Sequence, residues 1–238
     1  MEPLTEVRDL PDLAPGVLQD LPAGEVHVWT VPVSGESGTL AHCRSVLSEE
    51  ERRAADAFRR PEDMRRHVVA HGSLRFILAG YTGREPEALG FIRTEFGKPS
   101  LENGGSVRFN IAHSGDGVLV AVARGREIGV DMEYVKHQDD LPMIAARCFS
   151  VREIGLLRSC ESSRYAETFY MLWARKEAYI KARGEGMSLD LTNIDIAEAP
   201  AVLDGRWHLV DIGSYRGCAC ALAADGPIDR VRVFGRVA

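Results

Sequence analysis

Apolar and polar residues alternate over residues 25–33, and a period of two predicts a strand there. The pattern then lengthens to about 3.6 residues over 38–80, which predicts two or three helices. Ser48 fits an N-cap for one of them, with Glu51 completing a capping box. Further strands are predicted over 91–95, 107–111 and 118–123. After Arg124-Gly125-Arg126 the pattern restarts. A strand is predicted over 127–134, helices over 141–183 with Gly184 closing the last one, and strands over 193–196, 207–212, 217–223 and 230–234. The first strand and the first strand after the helices start 66 residues apart in each half, 25 to 91 and 127 to 193. The expectation is an α+β fold, a pseudo-dimer of two similar α/β halves, 24–124 and 125–238, behind a loosely ordered lead-in over 1–23. Ligand sites favour such seams.

Composition narrows the function classes. The chain has 238 residues, 45% hydrophobic and 27% charged, which is ordinary for a globular protein. It has no apolar run near the roughly 18–20 residues that span a membrane, and residues 1–22 lack the pattern of a signal peptide. A net charge of −6 argues against a general nucleic-acid binder. Arg52, Arg53, Arg59, Arg60, Arg65, Arg66 and Arg75 form a local basic run. It reads either as a solvated face paired with Glu49, Glu50, Glu51 and Asp56, or as a phosphate-facing patch. The five cysteines match no zinc spacing, and reduced thiols fit a cytoplasmic protein.

Two segments carry candidate chemistry. In Ile128-Gly129-Val130-Asp131-Met132-Glu133-Tyr134, period two puts Asp131 and Glu133 on one face and Ile128, Val130 and Met132 on the other. Two close carboxylates repel unless a cation or proton sits between them. The pair reads as an oxygen platform for a hard cation such as Mg²⁺, or as ordinary acids on a solvent-facing edge strand. In the helix over 169–181, Trp173, Glu177 and Lys181 line one stripe at i, i+4 and i+8. That stripe reads as a surface ion pair beside a core Trp, or as a third metal oxygen with a lysine facing phosphate. His113 ends a strand in a small polar turn, and Gly97 and Pro99 hold Lys98 in another.

These pieces occur in a recognisable order: Gly97-Lys98-Pro99, Phe109-Asn110-Ile111-Ala112-His113-Ser114, Gly129-Val130-Asp131-Met132-Glu133, and Trp173-Ala174-Arg175-Lys176-Glu177-Ala178-Tyr179-Ile180-Lys181. Together, over roughly residues 24–230, the chain resembles the surfactin-synthetase type of 4′-phosphopantetheinyl transferases. The resemblance implies a pseudo-dimer with coenzyme A between its halves. It implies transfer of the phosphopantetheine arm to a serine of an acyl, peptidyl or aryl carrier protein, releasing adenosine 3′,5′-bisphosphate. Asp131, Glu133 and Glu177 would hold Mg²⁺, with Mn²⁺ as a substitute, against the pyrophosphate. Lys181 would contact the attacked phosphate. Lys98 and His113 would grip nucleotide phosphates and Arg66 the 3′-phosphate; where the family often has lysines early in the first long helix, this chain has Glu51 and Ala54, with Arg52 and Arg53 beside them. Glu177 is the first choice of base and Asp131 the second. Ala112 departs from the family, which places a serine there; its backbone N–H remains as a donor to the cofactor, so weaker cofactor binding rather than loss of activity is expected. Arg164, Arg175 or Arg183 would meet an acidic carrier. A monomer in the cytoplasm, binding neither nucleic acid nor membrane, is expected. The alternatives are a non-catalytic coenzyme A or carrier-binding module on the same fold and, less well matched, a metal-dependent nuclease or phosphatase.

Overall fold

The structure is a computed structural model that describes residues 5–6, 13–18, 20–35, 37–186 and 190–235. The chain runs β1 (Thr5–Glu6), β2 (Glu25–Pro32), α1 (Ser37–Ser45), α2 (Glu49–Asp56), α3 (Pro61–Thr82), β3 (Phe91–Arg93), β4 (Pro99–Leu101), β5 (Val107–Ser114) and β6 (Gly117–Arg124). It continues through β7 (Ile128–Tyr134), α4 (Leu141–Cys148), α5 (Val151–Ser159), α6 (Tyr165–Arg183), β8 (Ala201–Leu203), β9 (Trp207–Tyr215), β10 (Cys218–Asp225) and β11 (Arg230–Phe234). The fold is α+β, as the pattern predicts.

Strand alternation sorts the core into layers. One sheet has the order β1-β11-β2-β6-β5 and another β7-β10-β9-β8, while β3 and β4 form a hairpin. Val26 and Val28 of β2 and Leu119 and Ala121 of β6 face Ile128, Val130 and Met132 of β7 and Leu222 of β10 in one buried cluster. The opposite faces pack on the long helices. Trp29, Val31, Val118 and Val120 meet Val69 and Ile77 of α3. Leu209, Ala221 and Ala223 meet Ala174, Ala178 and Ala182 of α6. The edge strands β5 and β7 meet at the seam through side chains. The Oδ1 of Asn110 accepts from the Val130 N–H at 2.9 Å, and the Oγ of Ser114 accepts from the Tyr134 N–H at 3.0 Å.

A similar brace occurs twice along the chain. Ser48 caps α2 in a capping box with Glu51, and Ser150 caps α5 in a capping box with Glu153. Each glutamate also pairs with a buried cation on the following long helix, Arg75 of α3 and Lys176 of α6. Each cation then binds two carbonyls beyond its helix, Pro86 and Leu89 for Arg75, Leu191 and Ile194 for Lys176. The antiparallel cores agree too, running β2-β6-β5 and β7-β10-β9.

Three expectations change. Residues 193–196 form no strand. Leu191–Asn193 is a 3₁₀ turn and the strand comes later, at β8. The apolar alternation is real, since Ile196 is buried. However, side chains take this backbone: Lys176 binds the Ile194 carbonyl, Glu153 the Ile196 N–H, and Arg175 the carbonyls of Ile196 and Ala197. The equal strand spacing therefore does not hold. The lead-in is also less loose than expected where it is described. Leu13, Leu18 and Leu21 are buried in the first core, and the N–H groups of Gly16 and Leu18 bond the carbonyls of Ala79 and Gly80 on α3. Finally, β11, from the end of the chain, pairs in parallel with β2 and β1 in the first sheet.

Candidate active site

The odd face of β7 looks onto α6 rather than solvent, and Gly129 allows the contact. A Cβ there would lie 2.1 Å from the Ala178 carbonyl oxygen and 2.2 Å from the Ala182 nitrogen. The helix backbone therefore presses directly on the strand. Asp131 comes next on that face, 4% exposed, followed by half-buried Glu133. From α6, Lys181 donates to Oδ1 of Asp131 at 2.5 Å. The other oxygen, Oδ2, is buried without a partner.

Three carboxylates here share one ammonium. Burial pushes Asp131 up to about 7, against the opposing charge and hydrogen bond of Lys181 and with help from Glu133 and Glu177. Burial also raises Glu133, where Lys181, Lys136 and a hydrogen bond from Trp173 pull back and Glu177 adds to the rise. Burial raises Glu177 as well, again against Lys181. An excess of half-desolvated negative charge with an orphaned carboxylate oxygen is the electrostatic demand a divalent cation meets. The donor set is all oxygen, which suits Mg²⁺. Among the described residues, no group of three or more His, Cys, Asp or Glu side chains is closed tightly enough to hold a metal unaided. A protein-only cage is not what Mg²⁺ needs, because it keeps waters and substrate phosphates as ligands.

His113, at the end of β5, is exposed yet near enough to Arg66 and Lys181 to feel their charges. Desolvation and then the charges of Arg66, Lys181 and His71 hold its imidazole below the ordinary value. Arg66 reaches across from α3 to the Gly115 carbonyl and pairs with Asp63. Glu177 and Lys181 line a pocket of about 260 Å³ together with Phe96, Lys98, Asn110 and Ile111. A second pocket of about 410 Å³ lies on the far side of Lys98, with Thr94, Ser100, Arg108, Glu127 and Arg183 in its wall.

The structure thus gathers Asp131, Glu133, Glu177 and Lys181, with His113 and Arg66 within reach of the Lys181 charge or of each other. Lys98 is at the seam, but its ammonium is engaged. It binds Oε2 of Glu127 at 2.6 Å and the carbonyls of Ile128 and Ala182 at 3.1 Å each. Ala112 points away from the pocket into the inter-sheet core. A serine at this position would face β7, so the expected loss of a cofactor contact does not follow from its side chain.

The basic run divides in the same way. Arg75 is buried in its brace, Arg65 binds the carbonyls of Val33 and Gly35, and Arg53 pairs with Glu49. Arg52, Arg59 and Arg60 are exposed. Arg175, expected at a docking face, is 8% exposed and bound to Asp211 and two carbonyls. Arg183 pairs with Glu185 and Asp204. Arg164 is exposed. Sequence reasoning missed the close approach at Gly129 and the edge-capping roles of Asn110 and Ser114. The period-two spacing of Asn110, Ala112 and Ser114 was the available signal.

No described helix is long and apolar enough to cross a membrane. A family model described as the 4′-phosphopantetheinyl transferase superfamily matches residues 127–208, and one described as the N-terminal part of 4′-phosphopantetheinyl transferase matches 34–125. The chain is 37% identical over 212 residues to the 4′-phosphopantetheinyl transferase HetI of Nostoc sp., covering 85% of this chain and 88% of that protein. It is 32% identical over 169 residues to a protein of Synechocystis sp. named as a putative 4′-phosphopantetheinyl transferase, covering 70% and 68%. It is 29% identical over 200 residues to the 4′-phosphopantetheinyl transferase Sfp of Bacillus subtilis, covering 78% and 86%. Two models that together match most of the chain, and a relative matched over most of both chains, lead to one conclusion: this chain is a transferase belonging to the 4′-phosphopantetheinyl transferase superfamily.

Proposed function

We propose that the protein transfers the 4′-phosphopantetheine arm of coenzyme A to a serine of an apo acyl, peptidyl or aryl carrier protein in a Mg²⁺-dependent reaction. The observation that carries this reading is the three-carboxylate, one-lysine cluster, with its orphaned Asp131 oxygen, beside the pocket holding Glu177 and Lys181.

Asp131, Glu133 and Glu177 would hold Mg²⁺, or Mn²⁺ in its place, and the ion would supply charge stabilisation at the pyrophosphate. In the reaction, the carrier serine oxygen bonds to the β-phosphorus and the bridging oxygen leaves with adenosine 3′,5′-bisphosphate. Lys181, bound to Asp131 in the ligand-free protein, would turn to an oxygen gaining charge, and a cation in a half-desolvated site acts strongly there. The serine proton goes to Glu177, with Asp131 second. Burial raises the proton affinity of both in the metal-free protein, and a bound cation opposes that rise because metal and proton compete for the same oxygens. Arg66 and His113 would position the nucleotide phosphates. The duplicated brace supports reading the two halves as a pseudo-dimer, with coenzyme A between them. A chain holding both halves needs no second copy, so it would act as a monomer. Its five free cysteines suit the cytoplasm.

The test is the intact mass of an apo carrier after incubation with the protein, coenzyme A and Mg²⁺, with Asp131→Ala as control. A gain of one phosphopantetheine arm, absent with the variant, is expected. Coenzyme A binding with no gain on any of several carriers would favour a non-catalytic binding module.

A further inference from the structure

We propose that the buried Glu153–Lys176 pair is the positioning device for Glu177, setting the rotation of α6 at the active site. The inference rests on the transfer reading above, and neither residue touches substrate or metal in it.

Lys176 is 1% exposed and Glu153 is fully buried. The lysine ammonium is saturated by Oε2 of Glu153 at 2.9 Å, the Leu191 carbonyl at 2.7 Å and the Ile194 carbonyl at 2.5 Å. Glu153 also accepts from the Ser150 N–H at 2.7 Å and the Ile196 N–H at 2.9 Å. One ion pair therefore fastens α6 to α5 and to the 191–196 segment. Adjacent helix residues differ by about 100° in direction, so fixing Lys176 on one side fixes where Glu177 points. Gly129 sets the distance between α6 and β7, and the brace sets the angle. Together they hold the Glu177 carboxylate where its charge acts on Asp131 and Glu133.

The first half supplies an internal comparison. There the same brace, Glu51–Arg75, holds α3, and the residue after the cation is Phe76, buried and stacked on His42 at 4.3 Å. That brace has no catalytic carboxylate to aim. A buried ion pair is weak evidence for stability, because an apolar replacement of similar size often does as well. Breaking each brace should therefore affect function very differently even where it affects stability alike.

The experiment compares two charge-free variants, Glu153→Gln/Lys176→Met and Glu51→Gln/Arg75→Met. Removing both partners avoids a lone buried charge. Mn²⁺ affinity of each protein alone is read by electron paramagnetic resonance, and kcat and KM by carrier transfer. Supporting shells of metal sites typically govern about 10–100-fold in affinity or activity. The second-half variant should weaken Mn²⁺ binding and lower kcat by about 10-fold, with KM for coenzyme A changing less than about twofold. The first-half variant should keep wild-type Mn²⁺ affinity at a similar loss of unfolding midpoint. Glu153→Asp keeps both charges but shortens the arm by one methylene. It should reduce Mn²⁺ affinity in the same direction, and it decides the matter if the double variant does not fold. Wild-type Mn²⁺ affinity and kcat in a folded second-half variant would overturn the proposal, as would an equal loss from the first-half variant. A wild-type protein that neither binds Mn²⁺ nor modifies a carrier would instead overturn the transfer reading, and this inference with it.

Discussion

Lys181 and Asp131 form a lopsided pair: Oδ1 takes the ammonium at 2.5 Å, while Oδ2 is buried with no partner. The carboxyl ionises near 7 in the fold against an ordinary 3.8. The native protein therefore keeps a proton that the unfolded chain loses. This contribution to stability is complete below about pH 4 and disappears as the pH rises through 7. Without metal, Asp131→Asn should melt higher than wild type at pH 8 and indistinguishably from it at pH 4. Thermal melts in a chelator at both pH values check this, and a lower melting point for Asp131→Asn at pH 8 would contradict it. Mn²⁺ affinity of the wild type should fall as the pH drops below 7, because metal and proton compete for the same oxygens.

Gly129 is the contact that Asp131 depends on. An alanine methyl would meet helix backbone at 2.1 and 2.2 Å, and backbone cannot swing aside as a side chain can. Gly129→Ala should cost several kcal/mol, measured as the shift in urea midpoint. Pushing α6 off β7 should also abolish transfer in whatever folded fraction remains. A shift below about 1 kcal/mol would mean that the helix yields more easily than this packing implies.

Much of this was legible in the sequence because each signal was local. Period two put Asp131 and Glu133 on one face, i+4 spacing aligned Trp173, Glu177 and Lys181, and Ser48 with Glu51 announced a capping box. What the sequence hid was long-range. Asn193, Ile194 and Ile196 look like strand residues, and only the three-dimensional arrival of Glu153, Arg175 and Lys176 removes their backbone from a sheet. Arg175 reads as a surface cation beside Lys176, yet Asp211, 36 residues on, and two carbonyls bury it. The crossing of β11 into the first sheet leaves no local trace, because parallel pairing joins strands far apart in the chain.

Ala112 lies between Asn110 and Ser114 on the face of β5 that meets β7. Those neighbours accept from the Val130 and Tyr134 N–H groups, and by period two the Met132 N–H points the same way. Ala112 offers it no oxygen. Ala112→Ser should add that acceptor and raise stability by about 1 kcal/mol, with KM for coenzyme A unchanged. Urea unfolding and steady-state kinetics on the same preparation decide it. A several-fold drop in KM would restore a cofactor-contacting role for the position.

Arg175→Glu separates docking from folding. Its guanidinium forms two bonds to Asp211, at 2.8 and 2.6 Å, and two more to the carbonyls of Ile196 and Ala197. Reversing the charge would set a second carboxylate against the exposed Asp211 and take the donor from the Ile196 and Ala197 carbonyls, at a cost of about 1–3 kcal/mol. The expected result is a lowered unfolding midpoint rather than selectively weaker carrier binding. A folded variant with normal stability and lost carrier affinity would return Arg175 to the docking surface.

Lys98 has two roles that one substitution can resolve. Its ammonium ties the β3–β4 turn to the start of β7 and the end of α6 through Glu127, the Ile128 carbonyl and the Ala182 carbonyl. Its side chain is 11% exposed, so a missing donor leaves the Ile128 and Ala182 carbonyls with little water to replace it, while Glu127, 42% exposed, keeps solvent and Arg108. Lys98→Met should therefore lower stability by about 1–3 kcal/mol with no ligand present. A lysine reserved for phosphate would do the opposite, leaving the ligand-free protein unchanged and raising only KM for coenzyme A. The two cases separate in a urea titration without coenzyme A. Loss there, together with a raised KM, would mean that the tie and the phosphate contact draw on the same ammonium, so that coenzyme A must displace Glu127 as it binds. In that case Glu127→Gln should lower KM for coenzyme A while weakening the ligand-free fold.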